Sequence, residues 1–481
     1  MATAAASVRT GALRRGTAPA DGGYDHIHWI TLCVFAVYVI AWFLQIGIRW
    51  PSLGAIRFEL VLALSLVALA MFTPRQKPAE SCGLYKNIAL YYLAYTASML
   101  WTYDFDTSWL IFVDRFVKFS FMGFFIVVFV RTPKALIVFI CAFLFACLKL
   151  GEEGFIGTVT GSLIWENQGV MRLNGPTPLY AHPNSFSGMA LGTLPFILYL
   201  FPLVNKYLKG VLLVLLGFSL NIILHAGSRT TYVGFLMFLL LLLLRSKQKF
   251  KFITIGAVVT FIALPLIPEQ YLERFQTIGG QEKEGHSKEK RKVIIEDALV
   301  IFSEHPFGVG VAAFSKVRIA RFGRNQDTHN LYLEIATNVG IQGFIIWVFM
   351  IVAIYRNNSR LRAILQGQID RMRARAPPDL APASPYAKHI ADLRLMHAVL
   401  NAVWGYLSIR LCVGFFGHDT YEIYWWVVMG LTIAIHNMAQ VAERITQKQL
   451  EKPDLLPPEP DKKRDKRARA LNSPAAPRLL G

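Results

Sequence analysis

The sequence predicts an all-α polytopic membrane protein with about twelve transmembrane helices. Three observations carry this. Of 481 residues, 54% are hydrophobic and 17% charged, against about 25% charged in a soluble protein. The mean hydropathy is +0.41. The apolar residues gather into successive runs of about 20, the length a helix needs to cross the hydrocarbon of a bilayer. A soluble enzyme, a secreted disulfide scaffold and a disordered protein are all excluded by such a composition.

The elements follow in chain order. The tail 1–27 is polar and carries Arg9, Arg14 and Arg15. It lacks a short apolar core with an A-x-A cleavage site, so the first apolar run reads as a retained helix. Runs bounded by charge or by Pro and Gly lie at 28–48, 54–73, 85–103, 107–130, 134–150, 184–204, 209–226, 230–246, 251–267, 330–355, 396–417 and 421–441. The first nine spans fill 28–267, with an outer loop at 151–183. A large outer loop covers 268–328. The last three spans occupy 329–441, with an inner loop at 356–395, and a basic tail covers 442–481.

Orientation comes from Lys and Arg. Arg75/Lys77, Arg131/Lys134, Lys206/Lys209 and the run Arg245 to Lys251 mark alternate connections. Arg356, Arg360, Arg362, Arg371, Arg373 and Arg375 mark the inner loop, and Lys462 to Arg469 the tail. All fall on one side when both termini are cytoplasmic, as the positive-inside rule requires. That placement accounts for the net charge of +19 without a nucleic-acid partner. The five cysteines (Cys33, Cys82, Cys141, Cys147, Cys412) are scattered and form neither a disulfide framework nor a zinc cluster.

The two outer loops exceed simple turns, and long loops are usually functional or disordered. In 268–328 the pattern Ile294, Ala298, Ile301, Phe302 forms one apolar face of a helix, with Lys292, Glu296 and Asp297 elsewhere. That helix ends at His305-Pro306, before the turn-prone Gly308-Val309-Gly310. By contrast, the segment 376–385 and the Pro-rich tail from Pro453 read as linker.

Cations on the outer face oppose the topology bias and therefore need a reason. Arg229 opens a span within Gly227-Ser228-Arg229-Thr230, the unfavourable end of the helix dipole for a cation. Arg172 lies in Met171-Arg172-Leu173, and Arg291 opens the outer-loop helix. A single arginine there could snorkel to lipid headgroups. Three converging on one aqueous face form an anion site, since the guanidinium fork matches phosphate oxygens. His329 is the candidate for chemistry. It precedes the span from Leu331, with Asp327 or Thr328 as the expected N-cap. The helix N-terminus and the preceding Lys316, Arg318, Arg321 and Arg324 disfavour the imidazolium, and a neutral imidazole is what a general base requires. Asn330, Arg321 and Arg324 complete the candidate substrate-binding set.

His182 and His305 each precede a proline and fit turns equally well. Inside the spans, Asp114 and Lys118 have the spacing of an ion pair, beside Arg115, and Arg410 lies in the eleventh span. No Walker A loop, HExxH, GxSxG or glycosidase-like carboxylate pair is present, so neither ATP nor a metal is implied.

From His329 the chain reads His-Asn, nine residues, Gly340, two residues, Gly343. This resembles the signature of the O-antigen ligase and polymerase superfamily. Ser287-x3-Arg291, His305-Pro306-Phe307-Gly308-Val309-Gly310, Gly227-Ser228-Arg229, and Arg172 with Gly175 and Pro183-Asn184 resemble further family segments, in the family's order over 172–343. The resemblance implies an inverting, metal-independent glycosyltransferase of GT-C-like architecture at the periplasmic face of the bacterial inner membrane. It needs no cofactor. Its donor would be an undecaprenyl-diphosphate-linked glycan, and its acceptor lipid A–core for a ligase or a second lipid-linked repeat for a polymerase. By position His329 would be the base, and Arg172, Arg229 and Arg291 the diphosphate clamp. The rival of another class is a transporter or flippase of the same lipid-linked glycan, which would depend on Arg115 or Arg410 instead.

Overall fold

The structure is a computed structural model and describes residues 23–76, 78–167, 170–246, 248–250, 254, 287–376, 380, 384–417 and 420–451. It is mostly helical. Helices α1 (Trp29–Leu44), α2 (Phe58–Phe72), α3 (Leu84–Ser98), α4 (Lys118–Phe129) and α5 (Pro133–Thr160) lead to a hairpin of β1 (Ile164–Asn167) and β2 (Val170–Leu173). Then come α6 (Pro183–Leu200), α7 (Lys206–His225), α8 (Arg229–Arg245), α9 (Ser287–Glu304), α10 (Phe314–Phe322), α11 (Leu331–Ala374), α12 (Pro385–Val413) and α13 (Ile423–Glu451). Five described helices are each long and apolar enough to cross a membrane: Pro133–Thr160, Pro183–Leu203, Lys206–His225, Leu331–Ala374 and Pro385–Val413. The expected span 251–267, most of the loop before Ser287 and the tail beyond 451 lie outside the described residues.

The starts of these helices are written in local chemistry. Thr132, His182 and Ser384 each accept a first-turn N–H through the side chain, with proline in the first turn. Asn205 caps α7 and Ser228 caps α8 in the same way. Interior packing then uses small residues. A Cβ at Gly430 of α13 would sit 2.9 Å from the Gly123 carbonyl of α4, so these two helices touch backbone to backbone.

Two expected loops turn out shorter. Helix α5 continues to Thr160, so the outer connection begins about ten residues after 151. The inner loop 356–395 is mostly helix, because α11 runs to Ala374 and α12 starts at Pro385. The cause is a 3.6-period stripe hidden among polar residues: Leu361, Leu365, Ile369 and Met372 are buried, in one core with Ile390 and Leu393.

The feature that organises the end of the bundle carrying residues 287–330 is a break inside α11. Gly340 adopts φ 81°, ψ −178°. The ring of Tyr332 lies 5.7 Å from that of Trp347, whereas a straight helix would carry residues so spaced about 22 Å apart. The segment 331–339 therefore folds back along the helix that follows. Into the bend docks the loop 306–310: Val309 N–H donates to Thr337 O at 2.9 Å, Gly310 N–H to Asn338 O at 2.9 Å, and Ile341 N–H to Pro306 O at 2.9 Å. Gly340 has no room for a Cβ against the Phe307 backbone.

Gly340→Ala therefore meets both a backbone region that only glycine adopts and the Phe307 backbone, and a cost above about 2 kcal/mol is expected. At Gly367, also on α11, an added Cβ would meet nothing within 4 Å. Gly367→Ala should be neutral or stabilising by up to about 1 kcal/mol. Thermal unfolding of both variants in detergent checks the contrast.

Candidate functional site

His329 sits just ahead of the folded-back segment, half-exposed, with φ 47°. Among described non-glycine residues only Gln45, Arg57 and Ala312 share a positive φ, a conformation that must be held by its surroundings. The holding is visible. Asn330, not Asp327 or Thr328, is the N-cap of α11, its Oδ1 accepting from Tyr332 N at 3.0 Å and Leu333 N at 3.1 Å. Asp327 and Thr328 instead shape the approach: Thr328 N–H donates to Asp327 Oδ1 at 2.8 Å, and Thr328 Oγ1–H to Asn330 O at 3.1 Å. Leu331 N–H donates to Gly414 O at 2.7 Å and Asn330 Nδ2 to Phe415 O at 3.2 Å, which ties this corner to the end of α12. The imidazole thus lies one residue outside the cap rather than in the first turn.

Arg172 is 1% exposed. The β1–β2 hairpin, pairing Trp165 with Arg172, delivers it between two helix ends. Its Nε donates to Ala226 O at 2.7 Å and Nη2 to Asn184 Oδ1 at 2.7 Å. It therefore joins the last carbonyls of α7 to the first turn of α6. Directly after Ala226 come Gly227 with φ 55°, Ser228 and Arg229. Arg229 is half-buried at the first position of α8. Five residues on, a Cβ at Gly234 would meet Val413 at 2.7 Å and Leu191 at 2.8 Å, so the start of α8 rests on the end of α12. The second turn of α8, at Gly234, and the corner at Leu331 thus both contact the end of α12.

Arg291 extends the buried stripe of α9: Ile294, Ala298 and Ile301 are at most 1% exposed, and Arg291, one turn earlier, is half-buried. The surprise on this helix is Asp297. The apolar pattern left it to the polar side, yet it is 5% exposed. Arg318 Nε donates to its Oδ2 at 2.9 Å and Arg324 Nη1 to both oxygens at 3.1 Å. Arg321 pairs with Glu304 at 2.8 Å and Lys316 with Asp104 at 3.5 Å. The backbone N–H of Thr107, and then Lys316, hold the half-exposed Asp104 carboxyl below its usual range. The basic run before His329 has no acid of its own, but acids from neighbouring elements answer each of its four cations. Arg321 and Arg324 are thus tied into the outer subdomain.

Elsewhere on the surface of the bundle, Lys118 pairs with Asp114 beside a π-helical turn, Phe112–Val117, and Arg115 reaches Glu422 at 3.0 Å. Arg410 is 6% exposed. Its guanidinium lies 3.8 Å over the Tyr424 ring, and Nη2 donates to Gly188 O at 3.2 Å, one turn below Asn184. Glu334, 2% exposed, accepts from Thr420 N at 3.1 Å. Asp297 and Glu334 were not singled out from sequence, and a lone acid in an amphipathic pattern gave no signal. A cavity of about 610 Å³ opens at the bend of α11, lined by Trp101, Tyr103, Phe307 and Gln342 with the 304–309 loop. Neither His329 nor the three arginines line it.

Asp297→Asn should release Arg318 as a buried, uncompensated cation, costing about 3–5 kcal/mol. Faster proteolysis within 287–328, with the membrane bundle still intact, is the expected outcome.

The family model described as O-antigen ligase matches residues 195–348, about a third of the chain. No curated relative matches. The matched stretch contains Arg229, Arg291, His329, Asn330, Gly340 and Gly343, whereas Arg172 precedes it. The docked bend at Gly340 and the strained histidine thus lie within the matched stretch, and over residues 195–348 the chain is similar to the O-antigen ligase family.

Proposed function

We propose that the protein is an inverting, metal-independent glycosyltransferase of GT-C-like type. It transfers a glycan from undecaprenyl diphosphate to an acceptor hydroxyl at the periplasmic face of the bacterial inner membrane. The reading is supported by the contacts of Gly234 in α8 and of Leu331 with the end of α12, and by His329 at φ 47° beside its Asn330 cap.

In this reading His329 takes the proton of the acceptor hydroxyl. The oxygen attacks the anomeric carbon from the face opposite the diphosphate, and the carbon–oxygen bond to the diphosphate breaks with its electron pair. One negative charge builds on the leaving group. Arg229 and Arg291, both half-buried, meet that charge, and guanidinium groups serve where other transferases use a metal. Arg172 is engaged by Asn184 and Ala226. It holds the Gly227-Ser228 turn and so aims Arg229. Asn330 positions His329 as its cap, and Arg321 and Arg324 tie down the loop that carries Arg291.

Lipid A–core is the proposed acceptor, which makes the reaction that of an O-antigen ligase. A repeat-unit polymerase uses the same chemistry with a second lipid-linked glycan as acceptor. Reconstitution with a defined undecaprenyl-diphosphate glycan, offered either acceptor, separates the two by the size and anchor of the product.

His329→Ala should abolish product formation while donor binding persists. Arg229→Lys keeps the charge but loses the fork, and a fall in kcat/KM of about 10- to 100-fold is expected. Transfer by His329→Ala at the wild-type rate would refute the base assignment.

A further inference from the structure

At the end of the bundle opposite His329, two arginines from different helices converge on one indole. Arg245 is the last residue of α8, and its guanidinium lies 4.1 Å from the Trp404 ring centre. Arg362, on α11, approaches the same ring at 5.6 Å. Cation–π attraction draws each of them to the ring, but they are close enough for their like charges to repel. Neither has a carboxylate within 4.0 Å among the described residues. Arg362 donates to Asn401 Oδ1 and Ser359 Oγ, both at 3.2 Å, while its buried Nε has no hydrogen-bond partner. Asp370, two turns further along α11, is taken by Gln366 at 2.8 Å.

The surroundings are those of a lipid. Leu236, Leu240 and Leu244 of α8 are 47%, 47% and 61% exposed and form an apolar stripe that leads straight to Arg245. On α11 the apolar run ends at Arg356, so Arg362 stands just beyond the same hydrocarbon boundary.

We propose that Arg245 and Arg362, braced on Trp404, bind the phosphodiester headgroup of an anionic phospholipid, whose acyl chain lies along the Leu236–Leu240–Leu244 stripe. The phosphate supplies the negative charge that two converging guanidiniums lack, and it accepts the hydrogen bonds they have left to give. Arginine suits this place better than lysine, because it can stack on the indole and fork onto phosphate oxygens together.

The site is independent of the glycan-transfer reading, so its test uses binding alone. Native mass spectrometry would follow the purified full chain titrated with phosphatidylglycerol, phosphatidylcholine or inorganic phosphate. Wild type should hold phosphatidylglycerol at least tenfold more tightly than phosphatidylcholine. Arg245→Gln, at an exposed position and therefore expected to fold, should lower that preference at least threefold. Arg245→Gln/Arg362→Gln should remove it. Lys209→Gln, which removes another cation from the same membrane face, should leave it unchanged. An equal preference in wild type and double variant, or an equal loss in Lys209→Gln, would overturn the site. Full displacement of the lipid by millimolar inorganic phosphate would also overturn it, by assigning the pocket to a soluble anion.

Discussion

The architecture around residues 287–340 rests on one backbone event, the interruption of α11 at Gly340. A helix that breaks loses the partners of its last carbonyls. Here the loop 306–310 supplies them, since Val309 and Gly310 donate to Thr337 and Asn338. The hydrogen bonds that repair the break also fix the outer subdomain, because that loop is the direct continuation of α9. Folding back brings residues 329–331 down to the end of α12, where Gly414 and Phe415 receive them. Bend, loop and histidine are therefore one unit.

Charge in this unit is arranged in two ways. Arg318, Arg321, Arg324 and Lys316 each face an acid from another element, which makes them the fastening of the subdomain. Arg172, Arg229 and Arg291 come from three separate elements: a β-hairpin, the first residue of a span and the apolar stripe of an amphipathic helix. Arg172 is engaged by a neutral carbonyl and a neutral amide. These two partners orient the guanidinium between the ends of α6 and α7. At the far end of α8, Arg245 and Arg362 approach one indole, that of Trp404.

Hydropathy locates the apolar runs that become Pro133–Thr160, Pro183–Leu203 and Lys206–His225 to within a few residues at their starts, since Thr132, His182 and Asn205 act locally, within one turn of the chain. Arg229 and Arg172 stand out in the sequence as candidates because cations there oppose the expected topology bias, and His329 because of its place before a helix start. What tertiary contact decided was everything that needs a second element. Asp297 looked like solvent-facing polarity until Arg318 and Arg324 closed on it. Residues 356–374 looked like a polar loop until their sparse apolar stripe found α12 and α13. Even the cap beside His329 moved to Asn330, because Gly414 captures Leu331 and sets where the helix begins. Local rules are carried by neighbours in the chain and can be read there, whereas a bend, a buried ion pair and a shared helix end are agreements between distant residues, and only folding brings the parties together.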